Sequence, residues 1–287
     1  MSNISFDLSG KIDPQTVDAL RAVRETADVL GIPFFLVGAS ARDFIMNHCY
    51  GIETKRVTRD MDLAIEVAAW NHFHEFRKAL TGTGRFTPDN REPQRLHFGS
   101  VPVDIVPFGP IADGEQKIAW PPENAMTMSL LGFKEAYENS ITVRISPAPE
   151  LDIQLPTLPA LAVMKIISWD EKYPARKKDA EDLLLIMQNY ENAGNFDRLY
   201  EEEPVLLEEE EFDTTLAGIR LLGRDMGRIA EPETLKVIKR ILDHEMETKT
   251  PYRLISDMVM VGHGFEYRFN EVLLQVAKLK LGLSENA

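Results

Sequence analysis

Along the first part of the chain, apolar residues follow two rhythms. They recur at helical spacing from Pro14 to Leu30, through Arg42 to Asn47, and from Trp70 to Leu80, where Trp70, Phe73, Phe76 and Leu80 make one stripe. Between these helices lie shorter runs of strand character: Phe34 to Val37, ending at Gly38, and an alternating stretch over residues 56–67. A further pair, 95–98 and 101–108, is joined by Gly99-Ser100 in the manner of a hairpin. Helices and strands mixed in this way, with an antiparallel pair, predict an α+β domain built on a mixed β-sheet with flanking helices. After Gln154-Leu155-Pro156 the period becomes helical. Leu161, Met164, Lys165 and Trp169 fall on one helix, Leu183, Leu184, Ile186 and Met187 on the next, and further helical stretches cover about 213–229, 233–246 and 266–281. This places a domain boundary near residue 155, between an α+β domain over 1–155 and a helical domain over 156–287. The acidic run over 201–213 reads as a solvated connector or helix face.

The stretch over 56–67 contains two aspartates, a residue type that strands avoid. Alternation puts Met61, Leu63, Ile65 and Val67 on one face and Asp60, Asp62, Ala64 and Glu66 on the other. The apolar face is core; the other is either solvated or a site. A third carboxylate, Asp104, sits between Val103 and Ile105 in an apolar strand. Burying even a neutral polar group without a partner costs roughly 2–7 kcal/mol, so this aspartate needs a cation nearby. An arginine such as Arg42, Arg59 or Arg95 would serve, and so would a metal. At a rise of about 3.3 Å per residue, Asp60 and Asp62 lie about 6–7 Å apart at their Cα atoms, close enough for side chains to converge. A third carboxylate from a neighbouring strand would complete an all-oxygen metal site over Asp60, Asp62 and Asp104, suited to Mg²⁺ or Mn²⁺. Upstream, Gly38-Ala39-Ser40 turns from strand to helix, where backbone N–H groups suit phosphate. Ser40 also fits an ordinary helix cap there.

Composition narrows the classes. With 44% hydrophobic and 27% charged residues over 287, the chain reads as a soluble globular protein with a real core. A formal net charge of -14 argues against generic coating of nucleic acid, which relies on cations displacing counterions. The single cysteine, Cys49, excludes an internal disulfide framework and fits a reducing cytoplasm. Neither a secretory leader nor a membrane-spanning run is indicated. His72 and His74 point different ways on one helix, Cys49 and His48 lack the spaced ligands of a zinc site, and there is no nucleophile triad. Arg220, Arg224 and Arg228 form a helical stripe, read first as a solvated or salt-bridged face and second as an RNA contact.

Strand, Gly38-Ala39-Ser40, helix, then Arg56-x-Thr58-x-Asp60-x-Asp62-Leu63, then a later strand bearing Asp104: over about residues 34–108 this resembles the nucleotidyltransferase superfamily of the DNA polymerase β type. Within it the chain is most similar to the AbiEii-like nucleotidyltransferases, the toxin side of type IV toxin–antitoxin systems. The resemblance implies a nucleotidyltransferase fold and a nucleoside triphosphate as substrate. Asp60 and Asp62 would hold metal and triphosphate, and Asp104 would help activate an acceptor hydroxyl. Gly38, Ala39, Ser40, Arg42 and Arg59 would contact nucleotide phosphates. In the helical half it implies a phosphate contact for Lys165 and a base- or cation-positioning role for Asp179. The implied acceptor is RNA such as a tRNA end, a protein, or a small antibiotic-type molecule, with an antitoxin as partner. Ala39 departs from the commoner Gly or Ser of the turn, and the loop before Asp60 is long, with Arg56 and Arg59 flanking the site to hold phosphates or neutralise the aspartates. Two other roles stay open, a nucleotide-binding module without turnover and a scaffold that uses the acidic run as its interface.

Overall fold

Asp13 and Gly31 bracket the first helix, α1 (Pro14–Leu30): the Asp13 carboxylate accepts from the Thr16 N–H at 2.9 Å, Pro14 opens the first turn, and Gly31 closes it at φ 63°. In the computed structural model, which describes residues 4–54, 58–247, 252–259 and 265–285, the chain divides into two compact units, Met1–Thr157 and Leu158–Ala287.

The first unit is α+β. Its larger sheet contains β2 (Phe34–Val37), β3 (Met61–Glu66), β4 (Phe86–Pro88), β5 (Arg95–Phe98) and β6 (Val101–Phe108), in the order β2-β3-β6-β5-β4. Strands β3 and β6 run parallel while the other neighbours are antiparallel, so the sheet is mixed, and β5 and β6 form the expected hairpin. Flanking helices are α2 (Gly38–Asp43), which continues as a π-helical turn over Phe44–Cys49, α3 (Trp70–Gly82) and α4 (Phe133–Glu138). On β3 the face of Met61, Leu63 and Ile65 is buried, at most 3% exposed, as the alternation requires. The opposite face carries Asp62 and Asp104 at one end. At its other end, Phe35 and Phe108 pack on each other and on Tyr137 of α4, closing that end with aromatic rings. A three-stranded sheet of β1 (Ile4–Asp7), β9 (Ile141–Pro147) and β10 (Glu150–Leu155), and a hairpin of β7 (Lys117–Ala119) and β8 (Thr127–Ser129), complete the unit. None of these further strands was predicted from the apolar pattern.

One strand starts later than its alternation predicts. Strand β3 begins at Met61, so Asp60 lies just ahead of it. Nearby, the Thr58 N–H donates to the Asp43 carboxylate at 3.0 Å instead of joining a ladder. Arg56 lies outside the described residues.

The second unit is helical: α5 (Leu158–Glu171), α6 (Lys177–Asn189), a π-helical segment Glu191–Asn195, α7 (Phe196–Glu201), α8 (Pro204–Glu209), α9 (Thr214–Ile229), α10 (Pro232–Met246), α11 (Arg253–Val259) and α12 (Phe265–Ser284). The acidic run is not simply solvated. Glu203 binds Arg224 and Arg228, Glu209 binds Arg220, and Glu210 binds Arg220 and Lys278, so the arginine stripe of α9 is consumed by ion pairs within the unit. That corrects the solvated reading of the run and leaves the stripe a salt-bridged face.

Helices α9 and α12 touch backbone to backbone. A Cβ placed on Gly223 would lie 2.2 Å from the Leu279 carbonyl oxygen, and one on Gly282 1.9 Å from that of Arg220. At an exposed helical site, Gly→Ala stabilises by roughly 1 kcal/mol. Here the sign reverses: Gly282→Ala should destabilise the protein by about 1–3 kcal/mol through overpacking, read as a lower denaturant midpoint with unchanged slope.

Candidate functional site

Gly38 follows β2 and starts α2 at φ 69°, a left-handed conformation that favours glycine. A Cβ there would stand 2.2 Å from Oδ2 of Asp62, so this position brings bare backbone directly against the second aspartate. Ser40 is buried: its hydroxyl donates to the Val37 carbonyl at 3.0 Å and accepts from the Asp62 N–H at 3.2 Å. The hydroxyl proton expected to meet a phosphate is therefore committed to the turn, where it fastens β2 and α2 to β3.

Asp62 and Asp104 are register partners on the parallel strands β3 and β6, and Arg95 is the register partner of Asp104 across β5. Arg95 grips Asp104 with two parallel hydrogen bonds, Nε to Oδ1 and Nη2 to Oδ2, both 2.7 Å, and Nη2 also reaches Asp60 Oδ2 at 3.2 Å. Of the three arginines that the sequence offered as a counter-charge, Arg95 is thus the one that serves Asp104. Bonding to Asp104 raises the pKa of the Arg95 guanidinium above its already high ordinary value. Side-chain exposure falls from 45% at Asp60 to 27% at Arg95 and 15% at Asp104, so the cluster is open at its Asp60 end.

The flanking arginines differ. Arg59 is exposed beside Asp60. Arg42 was expected to reach phosphate but is 2% exposed and turned onto Asp43, with Nε at 2.9 Å and Nη2 at 2.5 Å from Oδ1. It braces α2 rather than facing a ligand, because the adjacent carboxylate meets its charge inside the fold.

The three aspartates are hard oxygen donors, and β3 and β6 set two of them side by side, which suits Mg²⁺ or Mn²⁺ in donor chemistry. Among the described residues, however, no three acidic, histidine or cysteine side chains converge on one point. The Arg95 guanidinium stands between Asp60 and Asp104, and a divalent ion held by all three carboxylates would take over its charge.

A second pair on the same face escaped the sequence reading. His97, two residues beyond Arg95 on β5, places Nε2 2.9 Å from Oδ2 of Asp89. Alternation along Arg95-Leu96-His97 was the signal available for His97; Asp89 lies in a loop, and nothing in the sequence joins it to His97.

In the second unit, Lys165 is neither at the surface nor open toward a ligand. Its Nζ lies 2.7 Å from both Asp179 Oδ1 and Asp182 Oδ2, the three side chains being 6%, 3% and 4% exposed, and Arg176 adds a 2.7 Å bond to Asp179 Oδ2. The expected phosphate contact is replaced by a buried ionic cluster linking α5 to α6, since two interior carboxylates need the ammonium. Burial raises the pKa of Asp179, but Lys165 and Arg176 outweigh it and leave the group below its ordinary value. Cys49 is partly buried, which pushes its thiol up to about 12 and removes it as a nucleophile.

No family model matches the chain, and no curated protein matches it. Solved structures similar to it include the antibiotic-resistance factor ANT(2'')-Ia in solution, 17% identical at a TM-score of 0.36, covering 70% of this chain and 98% of that one. A CCA-adding enzyme in complex with ATP is 16% identical at a TM-score of 0.32, covering 91% of this chain and 66% of the other. The Thermotoga maritima CCA-adding enzyme complexed with tRNA is 13% identical at 0.27, covering 96% and 80%.

Lys165→Met should remove the ammonium that sits between the buried Asp179 and Asp182 and cost about 3–5 kcal/mol in denaturant unfolding. Because the folded-state pKa of Asp179 is depressed, its contribution is present above the unfolded carboxylate pKa and lost as pH falls below about 4. Wild-type unfolding free energy should therefore drop more steeply on acidification than that of Asp179→Asn.

Proposed function

We propose that the chain is a metal-dependent nucleotidyltransferase, moving a nucleoside monophosphate from a nucleoside triphosphate to a hydroxyl acceptor with release of pyrophosphate. The observation that supports this best is the register pairing of Asp62 and Asp104 beside the bare backbone of Gly38, with Asp60 at the open end. An anionic cluster of this kind repels a triphosphate unless a cation joins it. Mg²⁺ or Mn²⁺, held by Asp60, Asp62 and Asp104, would neutralise and polarise the phosphates when bound. Gly38 and Ala39 let the triphosphate approach closely, Ser40 keeps that turn fixed to Asp62, and exposed Arg59 adds positive charge at the entrance. The chemistry is in-line displacement at the α-phosphorus, and these residues contribute by positioning and charge stabilisation.

The resemblance of the Gly38, Asp60, Asp62 and Asp104 pattern to AbiEii-like enzymes favours RNA such as a tRNA end, or a protein, as acceptor, and a cytoplasmic toxin role with an antitoxin partner. In this reading residues 1–155 are catalytic and residues 156–287 contribute to nucleotide or acceptor binding. One observation favours a second reading, a nucleotide-binding module without turnover: Arg95 already binds both Asp60 and Asp104 without any metal.

Purified protein, Mg²⁺, each of four α-labelled nucleoside triphosphates and total cellular RNA or lysate protein should give label in an acceptor band and stoichiometric pyrophosphate. Asp62→Asn should reduce both by at least about 10²-fold, whereas nucleotide binding without pyrophosphate release in the wild type would favour the binding module. By calorimetry, Arg95→Met should bind Mg²⁺ more tightly than wild type because a competing cation is gone, and unchanged affinity would count against a metal on these carboxylates.

A further inference from the structure

We infer that His97, oriented by Asp89, takes the proton of the acceptor hydroxyl; this rests on the transferase reading above. Three observations lead there. Position comes first. Strand β5 runs antiparallel to β6 with Arg95 opposite Asp104 and His97 opposite Pro102, so His97 shares the face of the carboxylate cluster, one side-chain repeat of about 6–7 Å from the Arg95–Asp104 pair. Its side chain is 32% exposed, accessible to an incoming molecule.

Orientation comes second. Asp89 Oδ2 meets Nε2, while Asp89 Oδ1 accepts from the N–H groups of Arg91 at 2.7 Å and Glu92 at 3.0 Å. The loop is closed by the Asp89 N–H on the Arg95 carbonyl and the Arg95 N–H on the Glu92 carbonyl, so the carboxylate is fixed before it meets the imidazole. The bond to His97 and then the two N–H donors hold Asp89 well below the usual carboxylate range, keeping it an acceptor. An imidazole that donates Nε2–H to this acceptor presents the Nδ1 lone pair to its surroundings, and Asp89 stabilises the imidazolium formed when that lone pair takes a proton.

Availability comes third. Both oxygens of Asp104 accept from Arg95, and one of Asp60 does too, and in the transferase reading the same carboxylates hold the metal, so their lone pairs are already engaged. Asp89 is the charged group bonded to His97, and Arg95 follows two residues away on the same strand, with Asp104 as its register partner.

The step balances. The acceptor oxygen forms a bond to the α-phosphorus, and the α-phosphorus bond to the oxygen bridging the α- and β-phosphates breaks. Pyrophosphate leaves with that electron pair, and the hydroxyl proton passes to Nδ1 of His97. His97 is thus a catalytic residue, and Asp89 a positioning residue.

The test measures transfer of α-labelled nucleotide to total cellular RNA as a function of pH for wild type, His97→Gln, His97→Gly, Asp89→Asn and Asp89→Glu, with nucleotide dissociation constants and thermal melts as controls. His97→Gln should lower kcat about 10²–10⁴-fold, leave nucleotide binding unchanged, and abolish the acidic limb of the pH–rate profile. Added imidazole should restore part of the rate to His97→Gly. Asp89→Asn should lower kcat less than His97→Gln with nucleotide binding unchanged, because the imidazole loses the acceptor that orients it, and Asp89→Glu should restore part of that loss. A His97→Gln enzyme with wild-type kcat and acidic limb would overturn the inference. So would a loss of rate that imidazole does not rescue and that follows a loss of nucleotide binding. Wild-type protein that releases no pyrophosphate from any nucleotide would overturn the transferase reading itself.

Discussion

Two like charges on neighbouring strands are the constraint around which the first unit is arranged. Strands lie about 4.8 Å apart, and two carboxylates at about 5 Å repel by about 3 kcal/mol at an effective dielectric constant of 20. Asp62 and Asp104 meet this condition because β3 and β6 pair in parallel with those residues in register. The fold answers with Arg95 on the far side of β6, whose planar fork matches the Asp104 carboxylate and reaches on to Asp60. Lysine would offer one point of charge where the site uses two parallel bonds. The Ser40 hydroxyl and the missing Cβ of Gly38 serve the same end, locking β2 and α2 against Asp62 without placing a side chain over it.

The helical unit handles buried charge by the same logic with other residues. Lys165 lies between Asp179 and Asp182, and Arg220 and Arg224 share Glu285 while reaching back to the acidic run. The net charge of -14 therefore says little about which carboxylates face solvent. Glu203 and Glu210 are internal partners, whereas Asp197, Glu201, Glu208 and Glu211 remain exposed.

Elements with a strong period were legible in the sequence. Helix α1 has the expected bounds because Asp13, Pro14 and Gly31 supply capping chemistry at both ends. The β5–β6 hairpin followed from alternation around Gly99-Ser100, and the α+β character from the mixture of the two periods. The three-residue strands β4, β7 and β8 are too short to show a period, and β1 owes its place to a parallel partner more than a hundred positions along the chain. Within the site, the gathering of Asp62 and Asp104 could be read from spacing and alternation. The fates of Arg42 and Lys165 could not: Arg42 turns onto Asp43, its neighbour in the chain, a side-chain orientation that no periodicity shows, and Lys165 is matched by carboxylates of α6 that only the packing brings close. The Asp89–His97 pair was hidden for the converse reason, since its hydrogen bond joins a loop to a strand without any motif.

The parallel pairing of β3 with β6 also bears on when the site comes into being. Residues 60–62 leave the ribosome well before residue 104, and the strand that completes their surroundings has to cross back after α3, β4 and β5 have been made. Non-local pairing of this sort is slow compared with helix or hairpin formation. The acidic constellation is therefore assembled late, with the body of the sheet, and a nascent or partly opened chain carries its aspartates apart on separate segments, without the geometry that gives them a common purpose.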